Sequence, residues 1–350
     1  MSGAALPRGT APRLGFIGAG WIGRHRMESV CASGAATAAA VAEPDPGLLA
    51  AALASAPGAR PCRGLDELLE LAPKLGGLDG VVIATPSALH AGQSLQALAA
   101  GLPVFCQKPL GRDAGEARAV VEAARRADLR LGVDLSYRFV EGARRIRELV
   151  AAGELGTVYA ARLVFHNAYG PDKPWFYDRA RSGGGCVIDL GTHLIDLLLW
   201  VLGAPEVTAV TARCFAGGAP LRDPEREVED YAVARLDLAG GAVAELACSW
   251  NLPAGQDAVI SAAFYGTAGG AELRNVDGSF YDFVAERFRG TARETLAGPP
   301  LAGLPEAWGG RALEHWARGL GRDRGFDAEV ESAARVAAVI DRIYGREGTA

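Results

Sequence analysis

Arg13-Leu14-Gly15-Phe16-Ile17-Gly18-Ala19-Gly20-Trp21-Ile22-Gly23 decides the reading of this chain. A short apolar run ends in G-x-G-x-x-G, and the residues that follow have the composition of a helix. In that setting the first glycine permits a tight turn, the second lets the backbone approach a pyrophosphate, and the third allows close helix packing. The free amides at the helix N-terminus then hold the phosphates. Glycines that merely punctuate a turn would need no acid downstream, yet Glu43 stands twenty residues after Gly23, at the end of the second apolar run. An acid there bonds the ribose hydroxyls and repels a 2′-phosphate, and Pro44 and Asp45 supply no arginine to bind one. NAD is therefore favoured over NADP; a solvated strand-end acid is the competing reading of Glu43.

Outward from this stretch, apolar runs alternate with amphipathic ones. Leu14–Ile17, Ala38–Ala42, Gly80–Ala84, Leu102–Phe105 and Leu131–Leu135 read as strands, with helices near 21–33, 47–56, 65–72, 88–100 and 114–127. Such alternation means a parallel, doubly wound sheet with right-handed crossovers. After residue 136 the texture changes to longer strands, over 157–165, 207–213, 230–238, 242–250 and 259–264, with Gly240-Gly241 marking a hairpin. Ala242, Ala244, Leu246, Cys248 and Trp250 alternate with Glu245 and Ser249, the pattern of a mainly antiparallel sheet covered on one face. Helices near 186–202, 306–320 and 328–344 are expected to cover it.

A chain of 350 residues exceeds what one core usually holds. The expected organisation is a leader over 1–12, a dinucleotide domain over 13–137 and a second α/β domain over 138–350. With 36 basic and 41 acidic residues the formal charge is −5, which removes most electrostatic support for a nucleic-acid or membrane partner. The greasy run Leu194–Leu202 is interrupted by Asp196 and falls short of the about 20 residues a membrane span needs. Six cysteines without a C-x-x-C pair imply reduced thiols, a cytoplasmic protein and no thiolate metal site.

Further segments carry a resemblance. Gly18–Gly23, Thr85-Pro86 followed by His90, Cys106-Gln107-Lys108-Pro109-Leu110, and Gly183-Gly184-Gly185 followed by Asp189, Gly191, His193 and Asp196 together resemble the Gfo/Idh/MocA family of glucose-fructose oxidoreductases and inositol dehydrogenases. The resemblance runs from about residue 13 to 345. It implies a Rossmann domain followed by an α/β domain with an open, mainly antiparallel sheet, and a homodimer or homotetramer. It also implies NAD-dependent redox chemistry on a polyol or sugar-like substrate.

Under that resemblance the family's Glu-Lys-Pro motif falls on Gln107, Lys108 and Pro109, so Lys108 inherits the catalytic lysine at the nicotinamide. Gln107 departs from the pattern. A carboxylate beside Lys108 would favour the ammonium and an amide cannot, so Gln107→Glu is expected to move the alkaline limb of kcat/KM upward. The Asp-x-x-x-His pattern falls on Asp189 and His193, one helical turn apart. A histidine exchanges a proton near neutral pH, and a carboxylate at that spacing orients it. His193 would take the hydroxyl proton while Lys108 stabilises the alkoxide. The structural alternatives are Asp189 as a helix cap and His193 as a bonded core residue; a metal pair is a third reading, for which the sequence offers no third ligand.

Ala19, Trp21 and Ile22 line the glycine loop, and Thr85, Pro86, His90 and Gln107 complete the expected cofactor contacts. Tyr137, Arg138, Asn167 and Trp175 are substrate candidates, the last two from a stretch, 166–181, whose aromatic and polar residues suit a sugar or cyclitol. Glycoside cleavage through transient oxidation and elimination is an alternative activity. A non-catalytic dinucleotide-binding regulator is another.

Overall fold

The computed structural model describes residues 11–223, 226–299 and 308–346, so most of the leader expected over 1–12 lies outside the described residues. The chain divides into two compact units, one from the described residues of Met1–Gly111, Gly115–Ser136 and Ala307–Ala334, the other from those of Arg112–Ala114, Tyr137–Glu306 and Arg335–Ala350.

The first unit is built on six strands: β1 (Arg13–Ile17), β2 (Thr37–Ala42), β3 (Arg60–Cys62), β4 (Gly80–Ile83), β5 (Val104–Cys106) and β6 (Leu131–Val133). All are parallel, in the order β3-β2-β1-β4-β5-β6. The order reverses between β1 and β4, and the crevice at such a switch point is where open α/β sheets bind ligands. Crossover helices α1 (Trp21–Ala32), α2 (Pro46–Ser55), α3 (Leu65–Leu71), α4 (Ser87–Ala99) and α5 (Ala114–Ala127) connect the strands. Strand β3 was not foreseen because only Cys62 of its three residues is buried.

The second unit begins with α6 (Glu141–Ala151) and carries nine strands: β7 (Val158–Asn167), β8 (Val207–Ala216), β9 (Ala219–Pro220), β10 (Tyr231–Leu238), β11 (Val243–Ser249), β12 (Ala258–Gly266), β13 (Gly269–Asn275), β14 (Phe283–Arg289) and β15 (Ala292–Ala297). Their order is β15-β14-β13-β12-β7-β11-β10-β8-β9, and only β7 and β11 pair in parallel. The short α7 (Arg179–Ser182) leads through a wider π-type turn at Val187–Gly191 into α8 (Thr192–Val201), which is almost wholly buried. The apolar stretch Arg179–Val201 is 89% buried in its most apolar window, which makes it a core helix.

Two helices close the described chain, α9 (Trp308–Leu320) and α10 (Glu331–Ile343). The expectation that the helix near 306–320 covers the second sheet is corrected: α9 packs on α1, where Ser29 Oγ donates to Glu314 Oε1 at 3.1 Å. Its Trp316 lies 5.7 Å from the Phe105 ring and fills the space that Gly80 and Gly132 leave open.

Candidate active site

In the first unit, β1 runs into Gly18, whose φ of +86° is a left-handed value that a side chain resists. A Cβ on Gly23 would collide with the Gly18 carbonyl, so α1 starts hard against the loop. Gly20 caps α1 with no side-chain bond to the helix, and a Cβ there would meet nothing within 4 Å. Open space over bare helix amides is what a pyrophosphate requires, so these residues fit a dinucleotide. Trp21 is 61% exposed and stacks on His25 with ring centroids 5.7 Å apart, while Ile22 is half-buried beside it.

Glu43 is buried, and its carboxylate is engaged at both oxygens. Oε2 accepts the Ala19 N–H at 2.7 Å and Oε1 accepts the Asp45 N–H at 3.0 Å. The acid thus sets the glycine loop before any ribose arrives. Such charge-assisted bonds to a buried carboxylate are worth more than ordinary ones.

At the end of β4, Thr85 Oγ1 donates to Gln93 Oε1 at 2.7 Å, and Pro86 is the N-cap of α4. His90, expected among the cofactor contacts, is 2% exposed, with its ring nitrogens 2.7 Å from the carbonyl oxygens of Thr85 and Pro109. It is a strut between the end of β4 and the Lys108–Pro109 turn, whose peptide bond is cis. Burial pulls the imidazole below its ordinary pKa, against the upward pull of the two carbonyls.

Gln107 continues β5, its N–H donating to the Ile83 carbonyl at 2.8 Å, and its buried amide donates to Asp134 Oδ2. The same carboxylate receives Arg26 Nε at 2.7 Å and Ser136 Oγ at 3.0 Å. Asp134 and Arg26 were missed in the sequence. The available signal was an acid inside the apolar run 131–135. Lys108 follows, half-buried.

In the second unit, Asp189 lies in the π-type turn and His193 in the first turn of α8. The turn is held at its start by Glu229, which accepts the Gly185 N–H at 3.0 Å, the Val187 N–H at 2.9 Å and the Tyr344 hydroxyl at 2.8 Å. Helix-start amides need such acceptors. Glu229 is buried, and burial raises its pKa against the pull of those donors. A Cβ on Gly185 would overlap the Glu229 carbonyl, which accounts for the last glycine of the Gly183-Gly184-Gly185 run.

Around the pair, the Tyr137 ring sits 4.7 Å from the His193 ring and 5.9 Å from both Phe165 and Phe283. Burial drives the Tyr137 phenol well above its ordinary pKa. Arg138, read as a cleft contact, is committed to Asp196, with bonds of 2.9 and 2.5 Å between buried partners. Asn167 ends β7, and its Oδ1 is buried without a hydrogen-bond partner among the described residues. Trp175 stacks on Phe176 at 3.8 Å. Asp189 Oδ2 accepts the Trp250 indole N–H at 3.1 Å. Sequence reasoning counted Trp250 only as one apolar position of a strand.

Residues 12–135 match the profile of an oxidoreductase family with an NAD-binding Rossmann fold, and residues 143–272 match the GFO/IDH/MocA C-terminal domain. The chain is 34% identical over 263 residues to inositol 2-dehydrogenase of Leifsonia xyli subsp. xyli, covering 73% of this chain and 72% of that one. It is 32% identical over 265 residues to the rhizopine catabolism protein MocA of Rhizobium meliloti, covering 75% and 78%. Among solved structures, GenD2 from gentamicin A biosynthesis in complex with NAD superposes with a TM-score of 0.78 at 26% identity over 98% and 97% of the two chains. Levoglucosan dehydrogenase in complex with NADH gives 0.81 over 96% of each, and at 21% identity that likeness is one of fold.

Proposed function

The chain belongs to the Gfo/Idh/MocA family of oxidoreductases, with an NAD-binding Rossmann domain, and from that premise we propose that it transfers a hydride between the nicotinamide and a hydroxyl-bearing carbon of a cyclitol, sugar or sugar derivative. The observation that most supports this reading is the setting of two side chains in the second unit: His193 under the Tyr137 ring and Asp189 bonded by Trp250, at a helix start gripped by buried Glu229.

The nicotinamide, when bound, supplies the hydride acceptor. His193 takes the substrate hydroxyl proton onto its imidazole, and the Lys108 ammonium donates to the oxygen as negative charge grows there. Asp189 orients the imidazole and favours its charged form. Asn167, at the end of β7, bonds a second substrate hydroxyl through its side-chain amide, and Tyr137 and Trp175 give the ring apolar walls. In the first unit the amides over Gly20 hold the pyrophosphate and Glu43 the adenosine ribose. The assembly is a homodimer or homotetramer, to be read from light scattering.

The test is NADH formation at saturating NAD with myo-inositol, methyl glucosides, levoglucosan and free aldoses. Net NADH supports the dehydrogenase. Glycoside cleavage without net NADH would select the elimination route, and inertness across the panel with tight NADH binding would select a regulator. Lys108→Ala and His193→Ala are expected to fold, bind NADH and lose about 100- to 10,000-fold in turnover. Near-normal turnover by His193→Ala would remove it as the proton acceptor.

A further inference from the structure

Trp250 is placed by two constraints that ordinary core packing does not need. Its backbone N–H donates to the Asp230 carbonyl at 2.7 Å, which pins the exit of β11 to the start of β10. The next residue, Asn251, takes a φ of +56°, so the chain turns away sharply just after the indole. The side chain is 2% exposed, and its single donor is spent on Asp189 Oδ2 at 3.1 Å. An indole N–H can donate one bond and accept none. It therefore recognises a carboxylate oxygen and fixes the carboxylate on that side.

The other edge of the same ring faces the 174–177 turn. Phe176 meets it edge-on at 6.3 Å and 88°, and Tyr177 at 5.6 Å and 63°, both favourable aromatic geometries. Tyr177 in turn closes its own loop by donating to the Pro171 carbonyl at 3.0 Å. One buried indole thus touches the acid of the Asp189–His193 pair and the aromatic turn that carries Trp175.

We propose that Trp250 is a positioning residue for Asp189: its N–H sets the carboxylate for catalysis while its ring seats the 174–177 turn, so that the acid and the substrate wall are placed by one side chain. The proposal rests on the reading of Asp189 and His193 as the reacting pair. The two jobs separate by substitution. Trp250→Phe keeps a ring under the turn and removes the donor, so it affects the chemical step. Trp250→Ala removes both and also loosens the wall.

The test uses the full chain at saturating NAD with the panel compound of highest turnover. Trp250→Phe should lower kcat on the order of tenfold, equivalent to about 1.4 kcal/mol of lost transition-state stabilisation, with KM changed less than about twofold. Trp250→Ala should raise KM as well. In an Asp189→Ala background, Trp250→Phe should change kcat less than about twofold, because the group it acts through is gone. The same fold-loss in both backgrounds, or wild-type kcat in Trp250→Phe, would overturn the proposal while leaving the pair intact. Wild-type kcat in Asp189→Ala would instead remove the pair, and the positioning role with it. A measurement without substrate keeps the idea exposed if Trp250→Phe folds poorly: the Trp250 indole 1H–15N resonance, identified by its loss in Trp250→Phe or Trp250→Tyr, should shift and exchange faster in Asp189→Ala. An unmoved resonance would overturn the bond.

Discussion

Gln107→Glu tests whether the amide at 107 is matched to Asp134. Both side chains are buried, at 7% and 1% exposure, and the amide donates directly to Asp134 Oδ2. A carboxylate in its place would set two like charges about 3 Å apart, a repulsion of about 5.5 kcal/mol at an effective dielectric of 20. Protonating one carboxyl costs less, about 3.7 kcal/mol at pH 7 for a glutamate of ordinary pKa near 4.3. The folded variant therefore holds a shared proton that the unfolded chain releases. That cost is a ceiling, because Arg26 is already bonded to Asp134 and offsets part of it.

The sign follows from linkage. The carboxyl at 107 has its folded-state pKa raised, so the variant matches wild type below the unfolded pKa. It then falls behind by about 1.4 kcal/mol per pH unit until the folded pKa is passed. Thermal melts at pH 4.5, 5.5, 6.5 and 7.5 should show a Tm difference that grows from near zero to roughly 5 °C, taking about 1.4 °C per kcal/mol for a chain of 350 residues. Adding Asp134→Asn restores one carboxylate and one amide and should recover most of the loss. A difference independent of pH, or no recovery in the double variant, would refute the matching. The expected upward move of the alkaline limb of kcat/KM in Gln107→Glu is diminished for as long as that shared proton is held, because no net charge is then added beside Lys108, and the double variant should show the move without that proton.

Glu43→Ala should weaken NADH binding about tenfold or more in fluorescence titrations and narrow its preference over NADPH, since it removes the ribose acceptor together with the anchors to Ala19 and Asp45; equal dissociation constants for the two cofactors in wild type would refute the Glu43 role. His90→Ala should cost about 2 to 3 kcal/mol in urea unfolding, from the buried bond that its one ring N–H donates and the space left behind, and a loss below about 0.5 kcal/mol would show that the strut carries nothing. Glu229 has its folded-state pKa raised by burial, so its contribution is complete below the unfolded pKa and is lost as pH rises through the folded one. Glu229→Gln should therefore gain in Tm relative to wild type between pH 4 and 7, and a relative fall over that window would contradict the raised pKa.

The Rossmann half was legible because its signals are local: buried parallel strands are continuous apolar runs, and the glycine loop and Glu43 lie within one βαβ unit. The sheet of the second unit was legible only where alternation is clean. Strands β13 and β14 do alternate in burial, yet polar Asn275 and Arg287 stand on the buried side, and β15 has no buried residue, so the period of two is hard to see in the sequence. Buried Arg287, bonded to Glu154 at 2.6 Å, occupies such a position. Helix α9 was read as a cover for the second sheet, but a sequence pattern says that a face is buried and not against what. The decisive partner, α1, lies nearly 300 residues earlier. The same limit governs the candidate site. The resemblance supplied Lys108, Asp189 and His193 by motif, whereas the side chains that hold Gln107, Asp189 and the start of the 187–191 turn are Asp134, Trp250 and Glu229, each brought in from a different strand end. A buried acid or an indole at a strand end has no periodic signature. What distinguishes it in a sequence is only that its polar group must find a partner, and Asp134, like Asp196 in the run 194–202, stands within an apolar run where that demand could be read in advance.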